Sequence, residues 1–67
     1  MFQKIQFITE TSVKIITDLE LPAYDSVYNK NEMEYVDILE DKGSSIYVQF
    51  ENGEVGFIPK KSFIMLG

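Results

Sequence analysis

The sequence predicts an all-β fold in one domain of residues 1–67, and three observations carry this prediction. Apolar and polar residues alternate along several short segments, which is the period of a strand with one buried face. Asn52-Gly53 is among the strongest short-range signals for a β-hairpin. Clusters of glycine, proline, asparagine and aspartate separate the segments. A chain of 67 residues supports one small core and no second domain.

The first two alternating segments predict an N-terminal hairpin. Ile5 and Phe7 share one face of the first segment, and Ile8 lies on the other. Val13 and Ile15 alternate in the same way in the second segment, after a short polar break. We expect these two strands to pair with each other. An exposed strand edge invites pairing with another chain, so homo-oligomer formation through the edge of this hairpin is one hypothesis.

Residues 18–31 predict a long loop or an irregular hairpin, because the alternation fades and turn-forming residues accumulate. Pro22 lacks a backbone donor, and Asp25-Ser26 together with residues 29–31 favours turns. Apolar side chains anchor the segment, and long loops in small domains are often functional. These apolar side chains are Leu19, Leu21, Tyr24, Val27 and Tyr28.

Residues 32–42 fit two interpretations. As a helix, the segment places Met33, Val36 and Leu39 on one face, between a capping asparagine and a terminating glycine. As a strand, it places Val36 and Ile38 on one face. Periodicity alone slightly favours the helix, which gives a ββαββ fold with a helix at 32–42 as the alternative to an all-β fold.

Two motifs, one at residues 56–63 and one at residues 23–25, resemble those of Src-homology-3 domains. Residues 56–63 match the closing pattern of that family: glycine, aromatic, aliphatic, proline, one helical turn, aromatic. Ala23-Tyr24-Asp25 resembles the family's Ala-Leu-Tyr-Asp-Tyr motif, and residues 34–39 lie where its second strand carries alternating core residues. The resemblance covers residues 22–66 and implies a small barrel of five to six strands with a short helical turn near 59–62. It also makes residues 33–40 a strand.

The hairpin at residues 52–53 allows two registers. A two-residue turn opposes Glu51 to Glu54, which sets like charges directly across from each other. A three-residue loop with its glycine in a left-handed bulge position opposes Tyr47 to Phe57. We expect the second register, which matches the barrel family and leaves Tyr47 and Phe57 on the outer face. Its core residues are Ile46, Val48, Phe50 and Ile58.

The same resemblance implies a groove that binds a partner through aromatic residues. Ser45 stands where the family has a tryptophan, so the expected partner is a protein surface rather than a proline-rich peptide. We expect a non-catalytic interaction module that docks a protein partner through an aromatic-bearing face. The residues expected to contact the partner are Tyr24, Asp25, Tyr47, Phe57, Pro59 and Phe63.

Composition excludes several classes of function. The chain has no cysteine and no histidine, so disulfides, thiol nucleophiles and the usual neutral-pH general base are absent. The sequence contains no glycine-rich phosphate loop and no metal-binding motif, and we therefore expect neither catalysis nor a cofactor or metal. The first residues do not resemble a signal peptide, and no segment approaches the roughly 20 apolar residues of a membrane span. These features predict a cytoplasmic protein that does not contact a membrane.

The charge balance bears on the partner. Six lysines against eleven acidic residues give a net charge of −5, which opposes direct nucleic-acid binding. Short, acidic, cysteine-free chains of this build resemble products of phages or mobile elements. An alternative function is therefore an acidic inhibitor that occupies a nucleic-acid-binding site on a host protein. Its phosphate-like surface would comprise Glu32, Glu34, Asp37, Glu40 and Asp41.

Overall fold

The computed structural model describes residues 1–17 and 20–67, and this part of the chain is built from strands and one 3-10 turn. The all-β class is therefore confirmed. The strands are β1 (Phe2–Phe7), β2 (Thr11–Ile16), β3 (Tyr24–Tyr28), β4 (Met33–Asp41), β5 (Ser45–Phe50), β6 (Val55–Pro59) and β7 (Phe63–Met65), and the 3-10 turn is Lys60–Ser62.

All seven described strands belong to one antiparallel sheet in the order β3-β2-β6-β5-β4-β1-β7. The sheet is open, because β3 and β7 form its two edges and do not pair with each other. The expected closed barrel of five to six strands is therefore not formed in the described part of the chain. The expected helical turn near 59–62 is confirmed by the 3-10 turn between β6 and β7.

Two short links force this sheet to curl. Residues 8–10 connect β1 to β2, and residues 29–32 connect β3 to β4, although four strand spacings separate the members of each pair. In a flat sheet that separation is about 19 Å, at about 4.8 Å per spacing. A link of three or four residues that also reverses direction cannot cover it. The second link is fastened to β1, since Asn31 N donates to Phe7 O over 2.7 Å and Phe7 N donates to Glu32 O over 2.9 Å.

The curled sheet encloses its own inner face, which forms the core. The Phe7 ring of β1 stacks on Tyr28 of β3 with centroids 4.7 Å apart, and Tyr28 lies 6.0 Å from the ring of Phe50. These rings join the two sides of the open sheet through side chains, without a hydrogen-bonded ladder. The buried apolar residues are Ile5, Phe7, Val13, Ile15, Val36, Ile46, Val48, Phe50, Ile58 and Phe63.

The predicted N-terminal hairpin is wrong. β1 pairs with β4 and β7, whereas β2 pairs with β3 and β6, and β1 and β2 do not pair with each other in the described sheet. The alternation of Ile5 and Phe7 correctly gave the buried face of β1, since both are fully buried. Alternation gives the face of a strand and not its neighbours, however. The hairpin on which the dimer hypothesis was based is not formed. β1 pairs on two sides, and β2 pairs with β6 only at Ile15 and Ile16.

Residues 33–41 form strand β4, so the alternative helix at 32–42 is wrong. Val36 is fully buried and Ile38 packs against the core, as the strand interpretation predicts. A shift in the β4–β5 register between Ile38 and Glu40 turns the end of the strand. Pairing on both sides, with β1 and β5, outweighs the weak helical periodicity of this segment.

The predicted loop at 18–31 contains strand β3, which forms a hairpin with β2. Two of its residues, Asp18 and Leu19, lie outside the described residues. Tyr28 reaches the core through the stacking described above, so it acts as an anchor as expected. Val27 points outward and is 57 % exposed. The turn predicted at residues 29–31 is formed, and Asn31 has a φ of +74° there.

The three-residue register of the β5–β6 hairpin is confirmed. Tyr47 opposes Phe57, Val48 opposes Gly56, and Gly53 has a φ of +90° in the loop. This left-handed conformation is one that glycine adopts without steric cost. Gly56 is required for a different reason, the close approach of β2. A Cβ atom at this position would lie 2.9 Å from the backbone oxygen of Lys14.

Candidate protein-binding surface

An aromatic pair lies on the outer face of the β5–β6 hairpin. The rings of Tyr47 and Phe57 have centroids 4.7 Å apart, with a tilt of 36° between their planes. Both alternate with core residues along their strands, so the register places them opposite each other on the outside. Phe57 is 41 % exposed. A large apolar side chain is thus held open to solvent on a rigid two-stranded support.

Pro59 extends this surface. It lies two residues after Phe57, on the same side of β6, and opposes Ser45 in β5. Pro59 is half-buried and ends the strand just before the 3-10 turn. A depression of about 500 Å³ borders it, lined by Ser44, Ser45, Pro59, Lys60 and Lys61. We refer to Tyr47, Phe57 and Pro59 as the hairpin face.

Asp25 lies on the outer side of the sheet, but Tyr24 does not. Asp25 opposes Lys14 of β2, whereas Tyr24 opposes the buried residue Ile15. The Tyr24 hydroxyl donates to both carboxylate oxygens of Glu54, at 2.7 and 2.9 Å. This hydrogen bond raises the pKa of the Tyr24 hydroxyl. Tyr24 therefore fastens β3 to the loop before β6 and does not join the hairpin face.

Phe63 is a core residue and not a surface residue, which corrects its predicted role. It is 8 % exposed and belongs to the buried apolar cluster. A second depression of about 330 Å³ lies beside it, with Ile38, Asp41, Ile46, Lys60 and Met65 as its other lining residues. An ion pair stands at the rim, where Lys60 Nζ lies 2.8 Å from Asp41 Oδ1. The hydrogen bond from Lys60 lowers the pKa of the Asp41 carboxyl.

The predicted acidic surface is divided by the pleat of β4. Glu34 lies on the inner side opposite Ile5, whereas Asp37 lies on the outer side opposite Gln49. Burial raises the pKa of the Glu34 carboxyl, and the neighbouring acids Glu32 and Glu51 raise it further. Three of the other acids have cations beside them. These ion pairs join Asp37 to the amino group of Met1, Glu40 to Lys42 and Asp41 to Lys60.

The described residues contain no group of three or more carboxylates placed to hold a metal ion. Within the same residues, no helix is long and apolar enough to cross a membrane.

Sequence reasoning missed a second apolar surface, on the outer side of β1, β4 and β7. Alternation identifies the residues of a strand that face inward. Here several residues that face outward are apolar as well, and the pattern does not reveal them. The available signal was an apolar residue on both faces of one strand, such as Tyr35 beside Val36. We call this surface the β1 face, and its apolar residues are Phe2, Met33, Tyr35, Ile64 and Leu66.

Comparison of the chain with protein-family models, with curated proteins and with solved structures found no significant match.

Proposed function

We propose that this protein is a non-catalytic interaction module that docks a protein partner through the hairpin face. The observation that carries the proposal is the Tyr47–Phe57 ring pair, 4.7 Å apart on a regular hairpin, with Phe57 exposed and Tyr47 half-buried. Aromatic side chains are enriched among the few residues that dominate the energy of protein interfaces. The absence of histidine and cysteine supports a binding role over a catalytic one. A chain without cysteine also suits the reducing cytoplasm, which is the location we propose.

The support beneath the rings favours tight recognition. Binding usually costs free energy because side chains at an interface lose their freedom. Here the two rings already restrict each other, and both are fixed by backbone pairing in adjacent strands. Phe57 therefore needs little further ordering when a partner covers it. Preorganised anchors of this kind retain more of the burial energy as affinity.

The net charge of the whole chain favours a partner with a basic rim, although Lys60 and Lys61 border the hairpin face at Pro59. Glu40 opposes Tyr47 on the neighbouring strand β4, and the whole chain carries a net charge of −5. Complementary charge at the rim of an interface accelerates association and disfavours wrong partners. The expected partner is a protein with an apolar pocket for Phe57, surrounded by lysine or arginine.

The likeness to Src-homology-3 domains also stays a proposal. It is supported by the register of the β5–β6 hairpin and by the 3-10 turn that follows Pro59. The open sheet lacks the closed barrel of that family. Two residues of the implied groove have other roles, because Phe63 is buried and Tyr24 bonds Glu54. The proposed contact surface is therefore the hairpin face alone and not the family's peptide groove.

The proposal is tested by comparing Phe57→Ala with Val27→Ala. Both side chains are exposed on the outer side of the sheet, at 41 % and 57 %, but Val27 lies on β3, away from the hairpin face. Each variant and the unchanged protein is immobilised, and proteins from the host lysate are captured and identified. A partner retained by the unchanged protein and by Val27→Ala, and lost with Phe57→Ala, is then purified. Its Kd is measured by calorimetry at two salt concentrations.

Two results would contradict the proposal. A purified partner that binds Phe57→Ala as tightly as the unchanged protein would exclude the hairpin face. Binding that collapses with salt and weakens in Glu40→Gln, while Phe57→Ala binds normally, would instead favour the acidic inhibitor. The division of the acids between two faces of β4, and their ion pairs, give that alternative less support.

A further inference from the structure

The β1 face carries five large apolar side chains over three neighbouring strands, interleaved with Lys4, Gln6 and Asp37. Along β1, the outward residues are Phe2, Lys4 and Gln6, and pairing sets Tyr35 of β4 beside Lys4 and Met33 beside Gln6. On the other side of β1, Ile64 lies beside Gln6. Leu66 continues β7 past its last paired residue, since its N–H donates to Lys4 O over 2.8 Å. Phe2, Tyr35 and Leu66 therefore flank Lys4. Met33 and Ile64 flank Gln6.

This face is more apolar than the solvent side of an antiparallel sheet usually is. The five apolar side chains are between 45 % and 49 % exposed. At roughly 200 Å² for a large side chain, they present on the order of 450 Å² of apolar surface to solvent. The largest apolar patch on an ordinary monomer is about 300–600 Å², and patches of that size are often functional. The β1 face is thus large enough to be an interaction site.

The charges of the face identify the occupant. Its charged side chains are Lys4 and Asp37, one of each sign, on adjacent strands. Lys4 Nζ lies 5.7 Å from the centroid of the Tyr35 ring, and no carboxylate of the described residues lies within ion-pair distance of it. Asp37 has one contact with the amino group of Met1, at 3.1 Å. The side chains of this face therefore carry no net charge, whereas the chain as a whole carries −5. Two copies of the chain can meet here without net repulsion.

The edge strand next to the β1 face, β7, is also apolar. β7 carries Phe63, Ile64 and Met65 and no charged residue. Natural sheets protect their edges with charges, proline or bulges. The other edge strand, β3, contains Asp25 and follows Pro22, as such protection requires. β7 has only its length of three residues as protection, and its outward residue Ile64 continues the apolar surface from the β1 face to the edge.

We propose that two copies of this chain associate through the β1 face. A two-fold axis between Lys4 and Asp37 sets Lys4 of each copy against Asp37 of the other copy. Such an interface uses the same patch on both copies, as most homodimers do. Both copies together bury on the order of 1,000–1,300 Å² once the polar rim is counted, which is near the lower limit for a specific interface. The dimer is therefore weak and depends on concentration.

The test is sedimentation velocity of the full chain over a concentration range from about 5 μM to about 1 mM. The unchanged protein is expected to shift from monomer to dimer within this range. Lys4→Glu is expected to weaken the association at least tenfold, because each copy then sets a second carboxylate against Asp37 of the other. The double variant Lys4→Glu with Asp37→Lys restores opposite charges across the interface. Its dissociation constant is expected to return to within about threefold of the original.

Two controls assign the effect to this face. Val27→Lys adds a charge at an exposed apolar position on β3 and is expected to leave the dimer unchanged. Phe57→Ala, on the hairpin face, is also expected to leave it unchanged, so dimer formation and the proposed partner binding are separated. Circular dichroism verifies that each variant is folded. A chain that stays monomeric over the whole concentration range overturns the proposal. A dimer that survives in Lys4→Glu, or that Val27→Lys dissociates, overturns it as well.

Discussion

Two aromatic clusters in this small protein have similar chemistry and different consequences. The inner cluster is Phe7, Tyr28 and Phe50, with the first two rings 4.7 Å apart and nearly parallel. The outer cluster is Tyr47 and Phe57, also 4.7 Å apart. The inner rings come from strands on opposite sides of the sheet and hold it curled. The outer rings come from adjacent strands whose backbone pairing already fixes them. An aromatic contact therefore stabilises the fold when it joins distant strands, and is available for binding when it joins neighbours.

The largest effect is expected at the inner cluster. Phe7→Ala removes a fully buried ring from both the core and the Tyr28 stack. The expected loss is about 4 kcal/mol, comparable with the whole stability of a domain this small. Urea denaturation followed by circular dichroism would measure it, and we expect a chain that is largely unfolded without denaturant. A stable, cooperatively folding Phe7→Ala protein would show that the stack does not hold the sheet.

The second largest loss of stability is expected where β2 pairs with β6 at Gly56. Gly56→Ala places a Cβ atom 2.9 Å from the backbone oxygen of Lys14, and a backbone cannot move aside cheaply. The expected loss is about 2 kcal/mol, in the range typical of overpacking. Thermal unfolding would record it as a lower Tm. Gly43→Ala is a poor control, because Gly43 has a φ of +91° and is strained by any side chain. Ser12→Ala, exposed on β2, is the suitable comparison and should leave the Tm nearly unchanged.

A smaller effect on stability is expected at the outer cluster. Phe57→Ala removes a cross-strand aromatic pair that remains partly exposed, which is expected to cost about 1 kcal/mol. Its effect on the proposed partner binding is expected to be far larger. The ratio of its effect on partner binding to its effect on stability measures how the two clusters differ. A loss of stability as large as that of Phe7→Ala would remove the distinction between them.

The smallest effect concerns the rim of the inner cluster, and it depends on pH. Burial raises the pKa of the Glu34 carboxyl, so the folded chain binds a proton there more readily than the unfolded chain does. Stability is therefore expected to rise as pH falls from 7 towards the ordinary pKa of glutamate, about 4.3. Because the group is still partly open to solvent, the gain is expected to be below about 1 kcal/mol. Denaturation at pH 7 and pH 5 would measure it.

Two variants sharpen this measurement. Glu34→Gln is expected to be more stable than the unchanged protein at pH 7 and to lose most of the pH dependence in this range. Glu40→Gln changes an exposed acid that pairs with Lys42, and it should keep the pH dependence. Equal pH dependence in Glu34→Gln and the unchanged protein would contradict the assignment to Glu34.

The same contrast between near and distant partners governs what could be predicted from the sequence. The β5–β6 hairpin was predicted with its register, because Asn52-Gly53 and the flanking alternation are local signals. The outward position of Tyr47 and Phe57 followed from that register. The pairing of β1 with β4 and β7 could not be predicted, because alternation along Ile5 and Phe7 carries no information about partners far along the chain.

Sequence motifs were similarly limited in predicting the candidate surface. Phe63 matched a surface position by its motif, yet it lies in the core because β7 pairs with β1 and turns that side chain inward. Tyr24 also matched by motif, and the hydroxyl bond to Glu54 was not predictable, since Glu54 is thirty residues away. Residue types identify chemistry, but a contact between distant residues depends on the path of the chain.

The wide separation of paired strands has a consequence for how the protein is made. β1 is synthesised before the other described strands, yet its partners are residues 33–37 and 63–65. β2 likewise waits for β6, about forty residues later. β1 therefore cannot complete its pairing until β7 has been synthesised, whereas β2 can pair early with β3. Apolar side chains of β1 that await their partners are a site at which the nascent chain can aggregate.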